Sequence, residues 1–375
     1  MKIMMIGSDA GAYGSALSMC HLMKNFNKRG VDFVGILPSS ILRADIWNEF
    51  GVKIRFVNFY KWIYIPKGTV YNWAKWIYKI ILNINAEIKV YKIMKEENPD
   101  IIHINTAAIG TGAIAACLSR KKLVWHFREF VEEDLGARFH GKFFSKCLFR
   151  KADARIAVSN SVRKHYQMMI RRECKCIYNG VNINKFYYKH VLFHNEEIVV
   201  TVPGRLLKSK GQYEVIQTFI ELDDMLGNYK MYILGDGEEE YTKLLTELIE
   251  KYHMNDKVIM MGYVSNIHSY YRISDIVIIN SAKEAFGRTT VEAMLSGCVV
   301  VGNDTGGTSE LLNNGNGFLF DHKSLTLKDV LLQIICDKNS AMITAQRGQK
   351  YAKEMFTDEK NASEIIALYK EILNG

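Results

Sequence analysis

The sequence predicts an α/β protein of two domains, each a parallel sheet covered by helices, and three observations carry that prediction. Short apolar runs alternate with helix-length amphipathic segments along most of the chain, the pattern of strand–helix–strand units. Runs such as Asp275-Ile-Val-Ile-Ile-Asn280 are apolar without alternation, as expected of strands buried on both faces. At 375 residues and 48% apolar composition, the chain is long enough to bury two cores.

In the first half, strands are expected at 3–6, 31–37, 53–57, 101–105 and 123–127, with a helix over about 15–29. The start Met1-Lys2-Ile-Met-Met-Ile6 has no cleavage region and reads as the first strand, not as a signal peptide. The turn after it, Gly7-Ser-Asp-Ala-Gly-Ala-Tyr-Gly14, is glycine-rich at a strand-to-helix junction but lacks dinucleotide-fingerprint spacing. No Gly-x4-Gly-Lys-Ser/Thr occurs, which argues against a P-loop nucleotidase. Seven scattered cysteines without a Cys-x-x-Cys pair indicate neither a disulfide framework nor a zinc site. No apolar segment reaches spanning length, so a cytoplasmic protein is expected.

The domain boundary is expected at 190/191, with strands of the second domain at 198–202, 230–234, 258–263, 275–280 and 299–302. The central stretch is Glu284-Ala-Phe-Gly-Arg-Thr-Thr-Val-Glu292, between a buried strand and a helix. Glu284 falls on a loop at the carboxyl end of a strand, where open α/β sheets bind ligands. Gly287 lets the main chain approach a ligand, and the helix start at Arg288, Thr289 and Thr290 offers N–H groups to an anion. One carboxylate outside the helix and a second, Glu292, a turn inside it can hold hydroxyls on either side of a phosphate. A nucleotide-sugar has that shape. Gly204 and Arg205 close the strand at 198–202, and Lys210 stands at the next helix start, so both cations can converge on a diphosphate. The donor half contains no Asp-x-Asp, and no catalytic metal is expected.

Taken with Thr305-Gly-Gly-Thr-Ser-Glu310 and Tyr178-Asn-Gly-Val-Asn182, these motifs resemble family 4 of the retaining glycosyltransferases, over most of 175–320 and more loosely over the first half. The resemblance implies a GT-B fold, two Rossmann-like doubly wound domains facing across a cleft: an acceptor domain at 1–190, a nucleotide-sugar domain at 191–356, and a last helix at about 357–375 packing back on the first. It places Gly11 and Ala12 near the donor diphosphate, Tyr263 beside the base and Phe286 with Gly287 at the sugar. It matches His126, in Trp125-His-Phe-Arg-Glu129, to a cleft histidine touching the donor sugar. The family more often has Asp after that His, and here Phe127 follows. Glu310 is expected to support the site. The implied reaction is transfer to a hydroxyl with retention, the departing phosphate taking the acceptor proton, with no cofactor beyond the nucleotide-diphosphate sugar, a UDP-sugar being favoured.

Residues 1–190 carry 31 Lys and Arg against 14 Asp and Glu, the remainder 18 against 26. A basic first half suggests an anionic partner. Between Phe56 and Leu82, Phe59, Tyr60, Trp62, Tyr64, Tyr71, Trp73, Trp76 and Tyr78 interleave with Lys61, Lys67, Lys75 and Lys79, and Trp73, Ile77, Ile80, Ile81 and Ile84 form one helical face. That suits an anionic membrane interface, and Arg138, Lys142, Lys146, Arg150 and Lys151 fit one face of a further helix. The expected protein is therefore a transferase of bacterial surface polysaccharide assembly, at the inner face of the plasma membrane, with a lipid-linked or oligosaccharide acceptor and no nucleic acid. Another GT-B reaction, such as 2-epimerisation or soluble glucan or sucrose formation, and a non-catalytic nucleotide-sugar-binding subunit stay open.

Overall fold

The computed structural model describes residues 1–8, 14–38, 53–66, 73–133 and 136–375. Gly11 and Ala12 lie outside the described residues, as do Lys67, Tyr71 and the side chains of Trp73 and Lys75. The chain forms two compact units, Met1–Gly180 with Asp358–Gly375, and Val181–Thr357.

Strands of the first unit are β1 (Lys2–Ile6), β2 (Asp32–Leu37), β3 (Ile54–Phe56), β4 (Ile63–Tyr64), β5 (Ile101–Ile104), β6 (Lys122–Phe127), β7 (Arg138–Phe139), β8 (Ala154–Ala157) and β9 (Lys175–Cys176). The main sheet runs β3-β2-β1-β5-β6-β8-β9, parallel throughout. The chain winds outward from β1 to one edge, returns to β5 and winds to the other, which puts a topological switch point between β1 and β5. Apolar residues of β1 and of the helix Gly14–Lys28, with Met19, Met23 and Phe26 fully buried, join Ile365 and Tyr369 of the last helix, Asp358–Asn374, in one core. Phe26 meets Tyr369 edge-on, and His21 Nδ1 lies 2.8 Å from Asp358 Oδ2, so the last helix is fastened to this unit by packing and by a polar tie.

The second unit contains β10 (Ile198–Pro203), β11 (Tyr229–Leu234), β12 (Val258–Gly262), β13 (Ile276–Ile279), β14 (Val299–Asn303) and β15 (Phe318–Phe320). Its order, β12-β11-β10-β13-β14-β15, is again fully parallel and again reverses once, between β10 and β13. Ile276, Val277, Ile278 and Ile279 are all buried, which accounts for the unbroken apolar run in the sequence.

Three features differ from the sequence reading. The boundary falls after Gly180, ten residues before the expected place: Val181 bridges to Thr357, its N–H donates to Phe356 O at 2.8 Å, and Ser296 Oγ donates to Phe186 O at 3.0 Å. Val181 and Phe186 are buried, and Phe186 packs near Tyr271, so residues 181–187 belong to the second unit. The charge asymmetry narrows with it. The first unit holds 31 Lys and Arg against 18 Asp and Glu, because the last helix brings four acids, and the second holds 18 against 22. Arg138 is not on the basic helix, which spans Lys142–Lys151; it pairs in β7 with Tyr64 in a small antiparallel sheet of β4 and β7. Gly141 ends that sheet and starts the helix.

Trp62, just before β4, stacks on Trp125 of β6 with centroids 5.8 Å apart, and Phe139 and Phe149 meet it edge-on. This aromatic cluster absorbs part of the aromatic segment seen in the sequence. No helix among the described residues is long and apolar enough to cross a membrane.

Candidate functional site

Two loops leave the second unit's switch point side by side. After β10, Gly204 (φ 145°) and Arg205 turn the chain into a 3-10 turn, Lys208–Lys210, and Gly211 (φ 68°) starts the helix Gln212–Glu221. After β13 come Asn280, Ser281 and Glu284. Asn280 Nδ2 donates to Gly211 O at 2.9 Å, and Ala282 N–H donates to Ser209 O at 2.8 Å, so the loops hold one another. A Cβ at position 211 would come within 2.5 Å of Asn280 Nδ2, and the left-handed backbone there adds its own penalty; glycine is required on both counts.

Within this frame Lys210 Nζ lies 2.6 Å from Glu284 Oε1, and Ser281 Oγ donates to the same oxygen at 2.7 Å. The ammonium and carboxylate are about one-fifth exposed, 20% and 18%. Both charges thus stand close to the surface at the switch point, each compensating the other and within reach of a ligand that carries both hydroxyls and negative charge.

Gly287 (φ 92°) is the cap of the helix Arg288–Leu295, whose first N–H groups have no acceptor within the helix. Thr290 is fully buried and its Oγ1 has no hydrogen-bond partner among the described residues. Glu292 is buried one turn in, its Oε1 3.5 Å from Arg288 Nη2. Behind this loop runs the next one. Gly307 N–H donates to Glu284 O at 2.7 Å, and a Cβ on Gly306 or Gly307 would reach 2.4 Å from the carbonyl oxygen of Glu284 or of Phe286. Phe286 is buried with its ring against Phe356. The backbone of Glu284 to Gly287 is thereby clamped from below, which fixes where its side chains and N–H groups point.

The structure brings Lys210, Glu284, Gly287 and the start of the helix Arg288–Leu295 together, and leaves Arg205 exposed at the end of β10. Tyr263 is half-exposed after Gly262 at the end of β12, two strands from β10. Glu310 lies in the helix Gly306–Leu312 that carries the clamp. Sequence reasoning missed Asn280 and Ser281. Their signal was available: two small polar residues directly after a buried strand are placed to bridge loops.

In the first unit, His126 of β6 is fully buried, its Nδ1 3.2 Å from His103 Nε2. His103 Nδ1 in turn meets Tyr369 OH at 2.5 Å. A chain of donation that starts at the Tyr369 hydroxyl leaves His126 Nε2 as an N–H donor, and that atom has no partner among the described residues. Next to it, Arg128 Nε donates to Asn105 Oδ1 at 2.8 Å and Nη1 to Asn179 Oδ1, while Glu129 accepts from Ala107 and Ala108 N–H groups and from Thr106. Burial pushes the Glu129 carboxyl up. Asn105, Thr106, Arg128 and Glu129 all follow the carboxyl ends of β5, which adjoins this unit's switch point, and of β6 beside it.

Burial, then the Arg128 charge, holds His103 down at about 3, and burial holds His126 well below the ordinary value of 6.5. Below pH 6.5 the unfolded chain binds these protons and the folded chain does not. Stability is therefore whole above 6.5 and falls as pH drops through it, by up to ~1.4 kcal/mol per pH unit for each ring. Denaturant unfolding of this unit between pH 7 and 5 measures the slope, and a flat profile would contradict neutral buried rings.

Comparison with known proteins places this geometry. The family "Glycosyl transferases group 1" matches residues 185–355 and "Glycosyltransferase Family 4" matches residues 14–185, so the two run through both units. The chain belongs to the GT4-type glycosyltransferases and has the GT-B fold. It is 24% identical over 340 residues to N-acetyl-alpha-D-glucosaminyl L-malate synthase of Bacillus anthracis, covering 86% of this chain and 88% of that protein. It is 24% identical over 315 residues to the capsular polysaccharide biosynthesis glycosyltransferase CapM of Staphylococcus aureus, covering 78% and 82%. Among solved structures, HepE of Anabaena in complex with UDP superposes with a TM-score of 0.80 at 22% identity, covering 99% of this chain and 100% of that one. The protein is thus a glycosyltransferase related to bacterial polysaccharide and glycolipid synthases.

Proposed function

We propose that the protein transfers a sugar, with retention and without a metal, from a nucleoside-diphosphate sugar to a hydroxyl of a lipid-linked oligosaccharide in bacterial surface polysaccharide synthesis. The observation that carries this is the Lys210–Glu284 pair at the second unit's switch point, clamped beside the start of the helix Arg288–Leu295. A diphosphate entering there meets the Lys210 ammonium, the exposed Arg205 and the helix N–H groups, and its sugar hydroxyls meet Glu284 and the Phe286-Gly287 backbone. Glu292 then receives the ribose, and Tyr263 the base. His126 Nε2–H is a donor suited to a sugar hydroxyl. Gly204 keeps the approach to the diphosphate free of side chain.

The chemistry follows from those charges. As the bond between the anomeric carbon and the phosphate oxygen breaks, negative charge grows on the diphosphate, where Lys210 and Arg205 stabilise it without metal help. The departing phosphate oxygen takes the proton from the acceptor hydroxyl, and the new bond forms on the face the phosphate leaves. A UDP donor is supported by the UDP held in HepE, and a polysaccharide acceptor by the likeness to CapM. A place at the inner face of the plasma membrane follows from the lipid-linked acceptor and the basic first unit.

The test is release of nucleoside diphosphate from a panel of UDP-, GDP- and ADP-sugars in EDTA, with and without a membrane extract. Extract-dependent release from one donor, unchanged by EDTA, is expected. Release that requires a divalent cation would overturn the metal-free mechanism. Turnover of a donor with no extract would favour a soluble reaction of the same fold.

A further inference from the structure

The helix Trp73–Glu97 carries a row of isoleucines, Ile77, Ile81, Ile84 and Ile88, each between 50% and 59% exposed. Beside it opens a groove of about 350 Å³, within the first unit and lined chiefly by Trp62, Trp76, Ile80, Ile84, Phe139 and Phe144. Neither feature belongs to the donor site, which lies in the other unit.

Four of the polar side chains that line the groove, those of Trp62, Asn83, Glu87 and Ser145, already have partners. Trp62 Nε1 donates to Ala107 O at 2.7 Å, and Ser145 Oγ to Lys142 O at 3.1 Å. Asn83 exchanges two hydrogen bonds with the backbone of Tyr60, and the Glu87 carboxylate accepts from Gly112 and Ala115 N–H groups. A sugar or a peptide would bring hydroxyls or backbone amides into a space with few free partners, and each group left unpaired there would weaken binding. Hydrocarbon incurs no such cost. The rim has the opposite character: Lys61 and Lys79 line it, and Lys142 and Lys146 lie on the neighbouring helix whose Phe143 is 82% exposed. Apolar floor, exposed apolar ridge and cationic rim together match the depth profile of an anionic lipid leaflet.

We propose that this groove holds one hydrocarbon chain of a membrane lipid, with the isoleucine ridge and Phe143 in the leaflet interface and the lysines on anionic headgroups. The proposal deepens the reading of a lipid-linked acceptor and rests on it for its purpose. Gly110 is part of the construction: a Cβ there would come within 2.3 Å of the Trp62 ring, so glycine lets the indole lie flat as the groove floor.

Trp62 and Trp76 report on the groove directly. The full chain is mixed with phosphatidylcholine vesicles, with and without phosphatidylglycerol, whose acyl chains carry bromine, and tryptophan emission is read alongside co-sedimentation. Binding that requires phosphatidylglycerol, with quenching by the brominated chains, is expected. Ile84→Glu, at an exposed position that leaves the core untouched, should weaken binding about tenfold or more and remove the quenching, since it puts a charge where an apolar side chain would meet hydrocarbon. No vesicle binding, binding without quenching, or quenching that survives Ile84→Glu would overturn the proposal. Self-association of the chain through this face in place of lipid binding would overturn it too and point to a protein partner. The two readings fail separately. Lipid quenching without turnover of any nucleotide-sugar sinks the transferase reading alone, and extract-dependent transfer without quenching sinks the groove alone.

Discussion

Lys210→Met lowers kcat/KM by ~10²–10³, the size of effect found when one preorganised group facing developing negative charge is removed. Lys210 Nζ lies 2.6 Å from Glu284 Oε1 at the switch point, where the proposed departing diphosphate would gather charge. Glu284→Gln is expected to fall by a similar factor for a different reason: it keeps the shape and the Ser281 hydrogen bond but loses the charge that binds hydroxyls strongly and holds the ammonium in place. Because the two groups act as a unit, the double variant should lose much less than the product of the single losses. Steady-state kinetics on the four proteins of the cycle measures this. Fully multiplicative losses would show that the pair does not cooperate.

Gly307→Val is expected to destabilise the second unit by ~1–3 kcal/mol and to abolish most activity at the same time. Its Cβ would press within 2.4 Å of the Phe286 carbonyl oxygen, a backbone atom that cannot rotate away, and the Gly307 N–H bond that holds Glu284 O would be strained. Moving the Glu284 loop by about an ångström is enough for a ~10²-fold loss of rate. Gly141→Ala is the contrast for stability: its backbone is ordinary (φ −135°), and a Cβ there meets only Phe144 Cβ at 3.6 Å. Chemical denaturation of both variants, together with turnover of Gly307→Val, checks the claim. A stable and active Gly307→Val enzyme would mean that the two loops do not clamp one another.

Much of this was legible in the chain. The unbroken apolar run at Ile276–Ile279 and the strand-to-helix junctions announced parallel sheets, because strands covered on both faces need no polar alternation. Glu284, Gly287 and Glu292 could be placed on one loop and helix from spacing alone, and Lys210 at another strand-to-helix junction; that the two junctions are neighbours follows from the pairing of β10 with β13, which the sequence does not carry. Two polar residues after a buried strand marked the place, but the partners they take, Gly211 O for Asn280 and Glu284 for Ser281, were not legible. They depend on how two loops meet, and short polar side chains after a strand serve many purposes. The domain boundary was read too late because Tyr187 to Asn195 lacks periodicity, while the link at Val181 is a single bridge and one hydrogen bond, too small to mark the sequence. The burial of His126 behind His103 and Tyr369 was equally hidden, since Tyr369 arrives from the far end of the chain.

The central claim is that Lys210 and Glu284 mark a nucleoside-diphosphate site in the second unit. Calorimetric titration of UDP, GDP and ADP into the parent and Lys210→Met proteins, all in EDTA, tests it most directly. The account predicts that one nucleotide, UDP by preference, binds the parent without metal and binds Lys210→Met at least ~10-fold more weakly, the loss of one charge-assisted hydrogen bond. Equal affinity of the two proteins for that nucleotide, or binding that appears only when a divalent cation is restored, would contradict it.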